Sequence, residues 1–90
     1  MFNGSGIFTY VGKRRGVTKD NINYLAFDVI TKDNSKSKIS FIATNENLIN
    51  QIWNTDFHDF QDVKLHFCVN RIFNRDKRAS YWEVILTGVD

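Results

Sequence analysis

The side chains best suited to chemistry in this chain are two histidines and one cysteine. His58 is followed by Asp59, but neighbours on an extended segment point apart, so the pair is weak evidence for acid–base catalysis. His66 and Cys68 do not complete a set of zinc ligands, because their spacing matches no known ligand pattern. Residues 4–6 (G-S-G) lack the Lys-Ser/Thr of a phosphate-binding loop. The sequence therefore predicts a non-enzymatic protein with no metal or cofactor, and a small enzyme using one of the histidines is the weakest alternative.

The basic residues are concentrated in three short regions. Residues 45–62 contain four acids and no Lys or Arg, so in a chain of net charge +2 the remaining residues carry +6. All the basic residues except Lys64 belong to three groups: Lys13, Arg14, Arg15 and Lys19; Lys32, Lys36 and Lys38; Arg71, Arg75, Lys77 and Arg78. Clustered Lys and Arg are suited to binding phosphates, although a basic hairpin loop can also be simply solvated.

The composition is that of one small folded unit. Ninety residues, of which 42% are hydrophobic and 14% aromatic, with no proline, predict a single domain over residues 1–90. Cys68 is the only cysteine, which suits a reducing cytoplasm. The sequence shows neither a signal-peptide pattern nor an apolar run long enough to span a membrane. We therefore expect a cytoplasmic protein.

Alternation of apolar and polar residues predicts five strands. They span Gly6–Lys13, Asn23–Thr31, Ser37–Thr44, Val63–Phe73 and Ser80–Val89. Between the third and fourth, residues 46–54 place Leu48, Ile49, Ile52 and Trp53 at helical spacing, and Asn45 is a suitable N-cap. The connector that follows contains Phe57 and Phe60, which we expect to pack under the sheet.

The order β-β-β-α-β-β is that of a mainly β, five-stranded OB-fold barrel with one helix between strands 3 and 4. Gly12 lies where the first strand must bend sharply. OB-folds bind ligands on the face of strands 2 and 3, between the loops that join strands 1 to 2 and 4 to 5. Two of the basic groups fall in or beside those loops.

This arrangement predicts phosphate contacts and base-stacking contacts. The expected phosphate contacts are Lys13, Arg14, Arg15, Arg71, Arg75, Lys77 and Arg78, with Lys36 and Lys38 extending the groove. The expected stacking residues are Tyr10, Tyr24, Phe73 and Tyr81, and Phe8 is a weaker candidate. For each aromatic the alternative is packing in the core. Trp53 and Trp82 follow the core pattern and are not stacking candidates, although the position of Trp82 inside or outside the barrel stays open.

In strand order and loop charge, the chain resembles the small OB-fold single-stranded-DNA-binding proteins of phages and mobile genetic elements. The resemblance extends over about Gly6–Val89 and is carried by the stretches Lys13–Gly16, Asn23–Val29 and Arg71–Arg78. It implies single-stranded DNA binding with weak sequence preference, in replication or recombination, by a homo-oligomer. Cellular members of this class carry an acidic tail, which is not expected here because the sequence reaches Asp90 directly after the last strand.

Two alternatives remain open from the sequence. The ligand can be RNA, because stacking and phosphate contacts do not distinguish it from DNA. The domain can instead be a protein-interaction module or a structural subunit of a larger complex, because an OB-fold does not determine function.

Overall fold

The computed structural model describes residues 2–31, 34–76 and 78–90. For residues 34–36 and 74 it describes the backbone alone. It contains β1 (Phe2–Val17), β2 (Asn23–Thr31), β3 (Asn34–Ala43), α1 (Glu46–Trp53), β4 (Asp62–Asn74) and β5 (Ala79–Val89). The order of elements is the one predicted from the sequence. Within the described residues, no helix is long and apolar enough to cross a membrane.

The five strands close into a barrel in the order β1-β2-β3-β5-β4. β1 serves two partners, since residues 2–9 pair with β4 and residues 9–17 pair with β2. The ladder between β1 and β2 shifts register between Tyr10 and Gly12, which is the bend expected at this glycine. A closed five-stranded barrel with its single helix between β3 and β4 confirms the predicted OB-type architecture.

The core lies between the inward faces of the strands and the apolar side of α1. On β2, Leu25, Phe27 and Val29 are fully buried, as the alternation predicted. Leu48, Ile49, Ile52, Tyr10, Phe41, Ala43, Val63, Leu65 and Leu86 complete the buried cluster. Because the helix presents three apolar residues to one end of the barrel, it closes that end against water.

Asn45 starts the helix as predicted. Its side-chain carbonyl accepts a hydrogen bond from the backbone N–H of Leu48 at 3.1 Å, which satisfies one of the free donors of the first turn. After the helix, Phe57 stacks on Tyr10 with ring centroids 5.1 Å apart. Phe60 behaves differently from the prediction, since its side chain is 70% exposed. Its backbone has a φ of 63° and donates to the carbonyl of Tyr10, so only the main chain is anchored to the barrel.

β1 is longer than predicted at both ends. Its first residues include Asn3, Gly4 and Ser5, which have no apolar alternation and therefore gave no strand signal. They are held by backbone pairing with β4, and the ring of Phe67 lies so close to Gly4 that an added Cβ would come within 2.7 Å of it. At the other end, Lys13, Arg14 and Arg15 lie within the strand and not in the loop, which comprises residues 18–22.

Leu65 offers a direct test of the core. It is fully buried on β4, so the substitution Leu65→Ala removes apolar contacts and leaves a cavity. We expect the free energy of unfolding to fall by about 2–5 kcal/mol in urea denaturation. Ile7→Ala on the neighbouring strand, where the side chain is exposed, is the matched control and should change stability by less than about 0.5 kcal/mol. Equal effects of the two substitutions would contradict the assigned faces.

Candidate nucleic-acid interface

The prediction that Tyr10 stacks on a base is wrong, because Tyr10 belongs to the core. Only 6% of it is exposed, and its ring lies 5.2 Å from Phe27 and 5.1 Å from Phe57. The face assignment of β1 was inverted: Phe8 and Tyr10 point inward, whereas Ile7 is exposed. Burial, together with the negative charges of Asp59 and Asp28, raises the pKa of the Tyr10 hydroxyl. Phe8 likewise packs inward, against Phe41.

Lys13 is also not placed as a phosphate contact. Its Nζ donates to the backbone carbonyls of Ile52, Trp53 and Thr55 at 3.1, 3.0 and 2.7 Å. These carbonyls lie at the C-terminal end of α1, which has no basic residue in its own last turn. A helix end leaves carbonyls without intrahelical donors and attracts positive charge. Lys13 therefore caps the helix from β1, with all three ammonium hydrogens engaged.

Arg15 lies beside the same helix end. Its guanidinium carbon is 5.4 Å from the centroid of the Trp53 ring, a cation–π contact. Trp53 is exposed on the helix surface, contrary to the core position expected from its spacing. Of the three consecutive basic residues at positions 13–15, Lys13 and Arg15 thus contact α1.

Arg14 points to the outer face of the sheet and pairs with Asp28 of β2. Its Nε and Nη2 lie 3.2 and 3.3 Å from the two carboxylate oxygens, and Ser40 of β3 donates its hydroxyl to the same carboxylate. Burial alone would raise the pKa of Asp28, but the hydrogen bonds from Ser40 and Arg14 and the charges of Arg14 and Lys38 more than offset it, so the pKa is lowered. The carboxylate is therefore ionised and neutralises much of the charge of Arg14.

The other predicted contact residues on these strands are Tyr24 on β2 and Lys36 and Lys38 on β3. Tyr24 is half-buried, and its ring lies across Gly16, where an added Cβ would come within 2.5 Å of the hydroxyl oxygen. Lys38 is exposed. The backbone of Lys36 lies in β3, while its side chain and all of Lys77 are outside the described residues.

The β4–β5 hairpin extends beyond the barrel and presents an aromatic face. Within the described residues, β1 pairs with β4 as far as Phe2 and Val69. The next cross-strand pairs on this face are Arg71 with Trp82 and Phe73 with Ser80. Since residues two apart on a strand share a face, this side continues the core-facing side of the barrel into solvent. We call it the hairpin face; it consists of Phe2, Arg71, Phe73, Ser80 and Trp82.

Contacts within the hairpin face hold its arginine in a defined position. The guanidinium carbon of Arg71 lies 5.4 Å from the centroid of the Trp82 ring. Its Nε and Nη2 donate to the hydroxyl of Ser80 at 3.2 and 2.8 Å. Phe2 meets Trp82 edge-on at 6.4 Å between ring centroids. Phe73 and Trp82 are 63% and 58% exposed, so flat apolar surfaces stand open beside a cation.

Of the predicted residues in the third basic group, the structure places Arg71, Arg75 and Arg78 on or beside the β4–β5 hairpin. Arg75 and Arg78 are exposed in the turn, with Arg78 at a φ of 48°, and Tyr81 is exposed on the opposite side of the hairpin. Phe2 and Trp82 were not among the predicted stacking residues. For Trp82 the sequence did contain a signal: R-I-F before the turn and S-Y-W after it place Arg71, Phe73, Ser80 and Trp82 at alternate positions, as expected of side chains on one face of a hairpin.

Each of the two histidines has one polar neighbour among the described residues. His66 lies at the surface, with Nε2 2.7 Å from the carboxylate of Asp90, and this hydrogen bond lowers the pKa of Asp90. The backbone N–H of His58 donates to the side chain of Gln61. In residues 2–31, 34–76 and 78–90, no group of three or more His, Cys, Asp or Glu could hold a metal ion.

Comparison with known proteins adds no family to this description. No protein-family model matches the chain, and neither does a curated protein or a solved structure.

Lys13→Met tests the helix cap. The substitution keeps most of the apolar stem and removes three hydrogen bonds to α1, so we expect unfolding free energy to fall by about 1–3 kcal/mol. Urea denaturation measures the change. Lys19→Met in the exposed β1–β2 loop is the control and should leave stability nearly unchanged. A Lys13 variant as stable as this control would contradict the capping role.

Asp28 predicts how stability depends on pH. Its folded-state pKa lies below the ordinary value of 3.8, so the carboxylate stabilises the fold above that pH, and this contribution is lost as the pH falls through the lower folded-state value. In thermal melting, the melting temperature of Asp28→Asn should fall less steeply than that of the wild type as the pH is lowered from 4. Asp20→Asn in the exposed loop should retain the wild-type slope. Identical slopes for all three proteins would refute the assignment.

Proposed function

We propose that this protein binds single-stranded DNA without catalysis and with weak sequence preference, using the hairpin face as its main contact surface. The observation that carries the proposal is the placement of Arg71 over the exposed ring of Trp82, next to the exposed rings of Phe2 and Phe73. On an OB-type barrel this combination offers both of the contacts that single strands require.

The aromatic rings supply the contact to bases. An unpaired base has two apolar faces, and stacking it on an aromatic side chain contributes roughly 1–3 kcal/mol whichever base it is. A duplex hides these faces within its own stack. The hairpin face therefore favours single strands over duplexes, and because stacking reads no hydrogen-bonding edge, the sequence preference it produces is weak.

The arginines supply the contact to phosphates. Arg71 uses Nε and Nη2 for Ser80, and its Nη1 has no hydrogen-bond partner within the described part of the chain, which leaves it for an anion. Arg75 and Arg78 are exposed in the adjacent turn. The connector between α1 and β4 (residues 54–61), which carries Asp56 and Asp59, ends where β4 begins, about 40 Å from the hairpin turn for a strand of this length, so these two charges do not oppose binding at the hairpin.

The biological setting of the proposal comes from the resemblance in strand order and loop charge. It includes replication or recombination of a phage or mobile genetic element, a cytoplasmic location and self-association into a homo-oligomer. RNA stays a competing ligand, since neither stacking nor phosphate contact requires a particular sugar.

A protein-interaction module is the second candidate function. The exposed rings of Phe60 and Trp53 favour it, because they lie near the helix end, away from the hairpin face, and would be covered by a docked protein. In that case the hairpin face would contribute nothing to oligonucleotide affinity.

Fluorescence anisotropy of labelled oligo-dT, poly-A RNA and duplex DNA tests the proposal. We expect oligo-dT to bind more tightly than the duplex and to lose affinity steeply as salt is raised. Trp82→Ala and Arg71→Gln should each weaken oligo-dT binding by about tenfold, because they remove a stacking ring and a positioned cation.

Phe60→Asn is the matched control for these variants. It removes a ring at least as exposed as that of Trp82, at the acidic end of the barrel, and asparagine tolerates the positive φ at this position. Binding by this control should equal that of the wild type. If no oligonucleotide binds at micromolar protein, or if the control loses as much affinity as Trp82→Ala, single-strand binding at the hairpin face is excluded.

A further inference from the structure

The parallel contact between β3 and β5 leaves an open cleft on the outside of the barrel. The two strands are in register at a single pair, Ile42 with Ile85. Toward the hairpin the strands separate around a cavity of about 360 Å³. We call it the β3–β5 cleft; it is lined by Ser40, Ile42, Tyr81, Trp82, Glu83, Val84 and Ile85.

Alternation along the two strands determines what the cleft presents. Tyr81, Glu83 and Ile85 lie at alternate positions of β5 and share its outer side, as Ser40 and Ile42 do on β3. The two isoleucines contribute apolar lining, and the ring of Tyr81, which also lines the cleft, is exposed. An apolar concavity with a few polar groups is typical of a site for a flat ligand.

Glu83 is the polar group that determines which ligand fits. It is half-buried in the cleft, and within the described residues its carboxylate has no hydrogen-bond or ion-pair partner. The hydroxyl of Ser40 is already donated to Asp28. A carboxylate repels phosphate and accepts N–H donors, so it selects the edge of a base and not the backbone of a nucleic acid.

The cleft is continuous with the hairpin face, because Trp82 belongs to both. Tyr81 and Glu83 face the opposite side of β5 from Trp82, so a strand stacked on Trp82 would place a base in the cleft by crossing the edge of β5 beside β3. This continuity favours a base over an inserted peptide strand, which would need a row of alternating side-chain pockets in place of one apolar lining.

We propose that the β3–β5 cleft binds one guanine base of the bound single strand, stacked on Tyr81 and hydrogen-bonded to Glu83. The inference rests on the proposed single-strand binding and adds a preferred base at one position. Guanine presents two adjacent N–H donors, N1–H and the 2-amino group, which match the two oxygens of a carboxylate. Thymine presents one N–H between two carbonyl oxygens, which the carboxylate repels.

Three oligonucleotides of equal length test this base preference by fluorescence anisotropy: all-thymine, thymine with one central guanine, and thymine with one central inosine. Inosine lacks only the 2-amino group of guanine. The guanine oligonucleotide should bind about tenfold more tightly than the all-thymine one, within the range of bidentate base contacts, and inosine should recover only part of that gain.

Glu83→Gln assigns the preference to this cleft. It should bring the ratio of guanine to all-thymine affinity close to one without weakening all-thymine binding, since one negative charge is removed. Glu46→Gln removes the same charge at the start of α1 and should keep the wild-type ratio. Thermal melting of both variants verifies that they are folded.

The two proposals fail in different ways. If the guanine and all-thymine oligonucleotides bind equally, or if the preference survives in Glu83→Gln, the cleft does not hold guanine, while single-strand binding stands. If none of the oligonucleotides binds the wild-type protein, single-strand binding fails and the guanine site fails with it.

Discussion

The bend in β1 is the constraint on which the rest of the structure depends. A single strand of sixteen residues closes the barrel by pairing first with β4 and then with β2, and the register shift after Tyr10 makes the change of direction. Just before the shift, Tyr10 points into the core, where Phe57 from the connector after α1 stacks on it. The shift carries Lys13 to the end of the helix, so barrel closure and helix capping result from the same feature.

This geometry divides the positive charges by role. Lys13 and Arg15 stabilise the helix end, and Arg14 is balanced by Asp28 on the outer sheet face. At the end of the β4–β5 hairpin, Arg71 contacts Trp82 and Ser80, and Arg75 and Arg78 are exposed in the turn that also contains Asp76. Lys and Arg that are identical in the sequence thus differ in function, because a cation already committed to carbonyls or a carboxylate has little left to offer a phosphate.

The fold was largely predictable because short sequence patterns indicate each of its strands and its helix. Alternation identified the strands, Asn45 and the apolar spacing identified the helix, and the order of elements led to the OB-type barrel. The face of β1 was not predictable, since Ile7 and Phe8 are both apolar and the register against β4, which aligns Phe8 with the buried Val63, decides which points inward. The role of Lys13 was hidden for a different reason: its partners are backbone carbonyls about forty residues away, which leave no trace in side-chain identity.

The candidate site was half predictable. Arg71, Phe73 and Tyr81 lie near the turn, as the charge cluster indicated, whereas Trp82 was assigned to the core pattern because it alternates with Val84 and Leu86. Trp82 does share a face with Val84 and Leu86. The β4–β5 hairpin extends beyond the other strands of the barrel, however, so among the described residues no other strand covers this face at Trp82. Strand length relative to its neighbours, which depends on the whole sheet, decides whether such a residue is core or surface.

The single register pair between β3 and β5 has a mechanical consequence. Every other seam of the barrel is a long antiparallel ladder, so closure is weakest where these two strands meet. Opening that seam would leave a curled five-stranded sheet with its other ladders intact. Local opening of the barrel therefore costs least free energy along this seam, which borders the outer cleft.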